Sequence, residues 1–157
     1  MKGNIDVDLI NRIVNDYSDM ILRIAYQRTQ NLFDAQDIAQ EVFVALMKSD
    51  ISQMKENELK AYIIRTAVNK CNDLHRRKNR RRIVSLEDAE PVFAPEEKRT
   101  LDEVNSLPEK YRIVVYLRYY EGYSVNEIAE ILGRKPSAIS SRLNRARAML
   151  KKLLTEE

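Results

Sequence analysis

The residues from Ser124 to Lys152 carry the side chains best suited to acting on another molecule. Ser124-Val125-Asn126-Glu127 has the spacing of a capping box, in which Ser and Glu each satisfy a free amide at a helix start. Ile128-Ala129-Glu130-Ile131-Leu132 comes next, Gly133 closes that short helix, Arg134-Lys135 turns, and Pro136 suits the first position of a second helix. Ile139, Leu143, Ala146, Met149 and Leu150 mark the buried face of the second helix, and Ala129 is small enough for the two to cross closely. Together they predict a helix-turn-helix. The opposite face carries Ser137, Ser140, Ser141, Asn144 and Arg145, with Arg147 and Lys151 further along. Short polar side chains let the backbone approach base edges, Asn and Arg can bond those edges with two hydrogen bonds, and the later cations reach phosphates. The plain alternative is a helical hairpin with a solvated basic face. The absence of any acid between Arg134 and Lys152 argues against it.

A second basic segment, His75-Arg76-Arg77-Lys78-Asn79-Arg80-Arg81-Arg82, is dense enough to repel itself unless an anion lies near. Cys71 and His75 lie four apart, a spacing that can hold a metal, but two ligands are too few and the chain has 1 His. There is no Gly-rich phosphate loop, nucleophile elbow or acid cluster of polymerase or nuclease type in the sequence. The expectation is therefore no enzymatic activity, no metal, no cofactor and no small-molecule substrate.

Composition dictates the elements that must position these groups. A chain of 157 residues has room for one or two small domains. With 44% apolar and 32% charged residues it is not wholly disordered, and 3 Gly and 4 Pro leave few breakers for the turns of a β-sandwich or barrel. An all-α fold is the expectation. No signal-like apolar run opens the chain, no stretch approaches the roughly 20 apolar residues that span a bilayer, and one Cys cannot form a disulfide within the chain. A cytoplasmic location is expected.

Ile10, Ile13, Val14, Tyr17, Met20, Ile21 and Ile24 have the three-and-four spacing of a first amphipathic helix. Asn31-Leu32-Phe33-Asp34 interrupts it, with Asp34 as the expected N-cap of a second helix whose face is Ala35, Ile38, Ala39, Val42, Phe43 and Leu46. Ser49 to Glu56 reads as a polar loop. A third helix begins near Glu58 and buries Leu59, Tyr62, Ile63, Thr66, Ala67 and Leu74. These predict a helical domain over residues 5–82, an acidic linker over 83–95 containing Pro91 and Pro95, and a second domain over 96–157. That second domain adds a short helix, Glu96–Ser106, and another with Pro108 in its first turn that buries Ile113, Val114, Leu117 and Tyr120 and ends at Gly122. The net charge of +3 is a cancellation. Met1 to Lys60 and Glu87 to Glu103 are acidic, His75 to Arg82 and Arg134 to Lys152 are basic, and alternation on this scale points to two partners of opposite charge.

The runs Asp34-Ala35-Gln36-Asp37-Ile38-Ala39-Gln40-Glu41-Val42-Phe43, Ala61 to Lys70 and Asp73-Leu74-His75-Arg76-Arg77 resemble the second conserved domain of bacterial sigma factors. Leu107-Pro108-Glu109-Lys110-Tyr111-Arg112, Tyr123 to Ala129 and Ser141 to Arg147 resemble the fourth. With these two domains on a short linker, the chain resembles the extracytoplasmic-function class of RNA polymerase sigma factors. The resemblance implies an initiation factor that binds core RNA polymerase and directs it to promoter DNA. It implies that Asp37, Gln40 and Glu41, with Ile38, Val42 and Phe43 beside them, dock on a coiled coil of the largest polymerase subunit. It implies that Tyr62, Arg65, Asn69, Lys70, Asp73, Arg76 and Arg77 recognise and open the minus-ten element, and that Ser137, Ser140, Ser141, Arg142, Asn144, Arg145 and Arg147 read the minus-thirty-five element. An Asn offers donor and acceptor to a flipped base, and an Arg run neutralises phosphates. Tyr62 stands where the family often has Trp and is expected to be core. A larger basic residue is common at the place of Ser140 and Thr at that of Ala138, so the promoter sequence stays open. The class also implies an anti-sigma protein, often membrane-bound. Two alternatives remain on the residues alone. A stand-alone helix-turn-helix regulator gives no reason for the Asp37-Gln40-Glu41 helix or for Asn69, and an interaction protein would turn the basic faces toward protein acids.

Overall fold

A computed structural model of the chain describes residues 6–81 and 106–155, and every element among the described residues is helical. The chain divides into two compact units, one ending at Glu90 and the other beginning at Pro91. The expected linker over 83–95 and the expected helix Glu96–Ser106, up to residue 105, lie outside the described residues.

The first unit is three helices, α1 (Val7–Thr29), α2 (Leu32–Lys48) and α3 (Glu56–Arg81), each packed on the other two. Asp6 caps α1 by accepting from the Leu9 amide at 3.2 Å, and Gln30, left-handed at φ 54 and ψ 26, ends it. The cap of α2 is Asn31 and not Asp34. In its extended backbone the Asn31 side chain accepts from the Asp34 amide at 3.0 Å, so the helix starts three residues earlier than expected and leaves the Asp34 carboxylate available for a partner on another helix. α3 likewise begins at Glu56 instead of Glu58.

The core joins Ile13, Ile21 and Ile24 of α1 to Ile38, Val42 and Leu46 of α2 and to Leu59, Ile63, Ile64, Ala67 and Cys71 of α3. Each large side chain among them contributes about 1.5–3 kcal/mol by leaving water. Val14, expected in the stripe, is 37% exposed. Ile51 is buried within the loop expected to be polar and pins the α2–α3 connection to the core. At the start of α3, Glu56 accepts from the Tyr17 hydroxyl and from Arg12 Nη1, the latter at 2.8 Å, and so ties α3 to the middle of α1. The Tyr17 hydrogen bond, then that of Arg12, holds the Glu56 carboxyl below its ordinary pKa.

Among the described residues the second unit's first helix is α4 (Glu109–Val115), with Pro108 at the N-cap position just before it and not within its first turn, and without a side-chain capping bond. α4 runs directly into a π turn, Tyr116–Tyr120, closed by the Glu121 amide on the Tyr116 carbonyl at 3.1 Å. The extra residue in that turn shifts the succeeding side chains by about one position relative to a 3.6-residue repeat. Tyr120, at the end of the turn, is therefore 38% exposed, against the expectation that it is core; ahead of the shift, Val115 and Tyr116 are buried and Ile113 is half-buried. The rings of Tyr116 and Tyr120 stack at 5.0 Å.

α5 (Val125–Leu132) and α6 (Pro136–Thr155) form the helix-turn-helix. Both arms of the capping box are made, Ser124 N to Glu127 Oε1 at 3.0 Å and Glu127 N to Ser124 Oγ at 3.1 Å. Gly133, at φ 65 and ψ 40, ends α5 with the Arg134 amide on the Ala129 carbonyl at 2.9 Å and its own amide on Glu130 at 3.3 Å, the paired bonds of a Schellman turn. Ile128, Ile139 and Leu143 are fully buried where α5 and α6 meet, and Ala146 and Leu150 of α6 pack with Leu107, Tyr111 and Val115. Met149, expected on this face, is largely exposed at its edge.

Two of these contacts have measurable consequences for stability. Glu56→Gln removes an anion whose pKa is depressed in the folded state, so its contribution is present above the unfolded value of 4.5 and is lost as pH falls through the lower folded value. The melting-temperature gap between wild type and Glu56→Gln should be open at pH 7 and close as pH falls below the unfolded value and through the lowered folded one; a gap independent of pH would contradict the tie. Ser124→Ala should destabilise the second unit by about 1 kcal/mol, measured by denaturant unfolding.

Candidate nucleic-acid and protein-binding faces

The periodicity of α3 sorts its polar residues onto two sides. Tyr62, Arg65, Asn69, Asp73 and Arg76 succeed one another by three or four positions and share one face. Arg65, Asn69 and Arg76 are exposed on it, Asp73 is paired with Arg76, and Tyr62 is half-buried with its hydroxyl 2.9 Å from Ser49 Oγ. Tyr62 is thus neither free to stack fully nor plain core: its polar end is tethered to the end of α2 while part of the ring meets solvent. Cys71 is 2% exposed in the core while His75 is exposed, so burial separates the two residues whose spacing could have held a metal.

Lys70, Leu74 and Arg77 lie on the other side of α3, in a groove against Asp37, Glu41 and Val44 of α2. Arg77 Nη2 is 3.6 Å from Glu41 Oε1, and Lys78 Nζ is bound to Asp34 Oδ2. The residues expected to face polymerase and those expected to face DNA therefore meet in one groove and carry opposite charge across it. Part of the alternation in charge along the sequence is satisfied inside the unit.

On α2, Asp37 and Gln40 are exposed, Glu41 and Phe43 are half-exposed, and Ile38 and Val42 are buried. Ile38 and Val42 hold the helix in place; they do not reach its outer surface. Two apolar residues missed by the sequence reading, Val44 at 42% exposure and Met47 at 38%, extend the outer face in line with Gln40. The signal was available: Asp37, Gln40, Val44 and Met47 recur by three or four, opposite the stripe that the core claims.

On α6, Ser137, Ser140, Ser141 and Asn144 are exposed on one side, while tyrosines of α4 and of the π turn reach two of the expected arginines. The neighbouring Arg145 guanidinium, with Lys110, holds the Tyr111 phenol below its ordinary pKa. Arg147 donates from Nε to the Tyr119 hydroxyl and from Nη1 to Asn144 Oδ1 at 3.1 Å. Arg142 is half-buried, and its guanidinium pKa is lowered by burial and then by the like charge of Arg134. The seven expected readers therefore divide into an open polar row, two arginines beside tyrosines, and one that is partly packed. The arrangement presents hydrogen-bond donors and acceptors with flanking cations and can bind a base edge and its phosphates. Among the described residues no cluster of three or more His, Cys, Asp or Glu could hold a metal ion, and no helix is long and apolar enough to cross a membrane.

Comparison with known proteins gives two family matches, Sigma-70 region 2 over residues 13–81 and Sigma-70, region 4, over residues 98–150. The RNA polymerase sigma factor SigV of Bacillus subtilis is 26% identical over 95% of this chain and 93% of its own length, and the ECF RNA polymerase sigma factor SigW of the same organism is 28% identical over 96% and 91%. The ECF RNA polymerase sigma factor SigE of Mycolicibacterium smegmatis is 28% identical over 93% of this chain, which spans 62% of that longer relative. In fold the chain is similar to the sigma factor RpoE solved with the anti-sigma factor NepR from Bartonella quintana, at a TM-score of 0.78 and 21% identity over 95% of this chain and 98% of that one. It is also similar to CnrH solved with the cytosolic domain of CnrY, at a TM-score of 0.66 and 24% identity over 99% and 92%. Regions 2 and 4 coincide with the units that carry α3 and α6, and the chain belongs to the sigma-70 family, in its extracytoplasmic-function class of transcription initiation factors.

Proposed function

We propose that this initiation factor works in the cytoplasm, where the outer face of α2 binds core RNA polymerase and the exposed faces of α3 and α6 recognise the minus-ten and minus-thirty-five elements of a promoter. The observation that carries this reading is the presence of region 2 and region 4 in one chain, each with a helix whose apolar stripe is buried and whose opposite face is polar and cationic. Asp37, Gln40 and Glu41, extended by Val44 and Met47, offer acids beside apolar contact area and suit a partner helix bearing cations. On α3, Asn69 lies between Arg65 and Arg76 on one exposed face, so an unstacked base bonded by the Asn amide would have cations on both sides for its phosphates. On α6, Ser137, Ser140, Ser141 and Asn144 face base edges while Arg145 and Arg147 flank them. The chain itself makes and breaks no bonds in this scheme; polymerisation chemistry belongs to its partner. RpoE has been solved with the anti-sigma factor NepR and CnrH with the cytosolic domain of CnrY, and we infer that an anti-sigma protein also covers the polymerase-binding face of this chain.

Reconstitution with core polymerase on a library of genomic fragments should yield transcripts starting at a defined set of sites, and a failure on every fragment would overturn the proposal. Asp37→Lys should weaken co-purification with core polymerase by about tenfold or more, because it sets like charge against like across the contact. Asn69→Ala should lower open-complex formation by about tenfold while changing duplex binding less than about twofold. Equal loss of both would remove the flipped base from the scheme.

A further inference from the structure

Tyr119 is 56% exposed on the π turn, and promoter recognition by α3 and α6 makes no direct use of it. Its hydroxyl accepts from Arg147 Nε, the Arg147 guanidinium carbon lies 5.6 Å from its ring centre, and Arg147 Nη1 donates to Asn144 Oδ1 at 3.1 Å. Three exposed side chains from two elements thus form a relay that starts just beyond α4 and finishes on the polar row of α6. We infer that Tyr119 is a positioning residue for base reading: through Arg147 it fixes the Asn144 amide with Oδ1 turned along α6, so that the Nδ2 donors face the DNA. This rests on the reading of α6 as the helix that contacts base edges.

An Asn amide that turns freely bonds adenine with both its groups, accepting from N6 and donating to N7. An amide whose oxygen is already engaged by a guanidinium presents donors, and its match in the major groove is a base edge that accepts: guanine at O6 and N7, or thymine at O4. Cytosine, which offers its N4 donor there, is disfavoured. An Arg and an Asn three residues apart on one exposed helix are held together weakly when alone. The Tyr119 hydroxyl anchors the pair from a separate element, and it engages Nε while leaving Nη2 to reach a phosphate. The π turn supplies the geometry, since the widened backbone leaves Tyr119 outside the core that claims Val115, Tyr116 and Leu117.

The test uses the chain assembled with core polymerase and a pool of duplexes randomised across the upstream element, with base preference at each position read by sequencing the bound fraction. Asn144→Ala identifies the position that Asn144 reads, which should favour guanine or thymine in the wild type. Tyr119→Phe, which keeps the ring and removes the hydroxyl, should flatten preference at that position by about three- to tenfold and leave the other positions and the melting temperature unchanged. Arg147→Met, which cuts the relay at its middle, should flatten the same position. Flattening by Asn144→Ala but not by Tyr119→Phe overturns the positioning role and leaves the α6 reading standing. A preference for adenine, the base of a freely turning amide, or for cytosine overturns the donor polarity. A uniform loss at all positions with a lower melting temperature makes Tyr119 structural and overturns the inference. No effect of Asn144→Ala at any position removes both the inference and the reading beneath it.

Discussion

The rotational setting of two helices governs everything this chain presents to its partners. Each of α3 and α6 is a wall of a core and, in the proposed function, a contact surface, and successive residues on a helix are about 100° apart, so slippage by one position would swing every outward side chain about a quarter turn away from its direction. Leu59, Ile63, Ala67 and Cys71 recur at every fourth position and lock α3 against α1 and α2; Ile139, Leu143 and Ala146 do the same for α6 against its neighbours. The outward residues inherit their direction from these buried stripes. Asn69 and Asn144 are therefore specified as much by Ile63 and Leu143 as by their own chemistry.

Electrostatics acts on top of that packing and does not create it. The contacts of Arg77 with Glu41 and of Arg76 with Asp73 are exposed, and such pairs contribute between zero and about 1 kcal/mol each. Their effect is on availability: a phosphate approaching Arg77 and a cationic partner approaching Glu41 each compete with the existing ion pair. The steadier contact is that with tyrosine in the second unit, where Tyr119 holds Arg147 without cancelling its charge.

Most of the fold is legible in the sequence because it rests on strong local signals. The S-x-x-E box, Gly133 and the three-and-four spacing of isoleucines and leucines are enough to place the helix-turn-helix and the three-helix unit. The misreadings have specific causes. Asn31 and Asp34 are both good caps, and only the backbone at position 31 decides between them. The π turn at Tyr116–Tyr120 is invisible to a periodicity of 3.6 residues per turn, which is why Tyr120 is expected in the core. On α2 the family pattern names Ile38 and Val42 together with Asp37 and Glu41, yet contiguous residues on a helix cannot all face outward, and burial divides them. The links from Tyr111 and Tyr119 to the arginines of α6 cross between elements and have no signature in the spacing of the chain.

The unbroken length of α3 sets a scale. Tyr62 and Arg76 are fourteen positions apart on one helix, and at about 1.5 Å per residue they stand roughly 21 Å from each other. In the proposed reading a strand lies along that face, and at about 3.4 Å per stacked nucleotide the length corresponds to about six nucleotides, fewer bases being stacked where one is flipped out. On the proposed function the helix is a ruler whose graduations are the Tyr62, Arg65, Asn69 and Arg76 side chains. Any insertion that lengthened or kinked it would change the number of nucleotides it spans without altering a single contact residue.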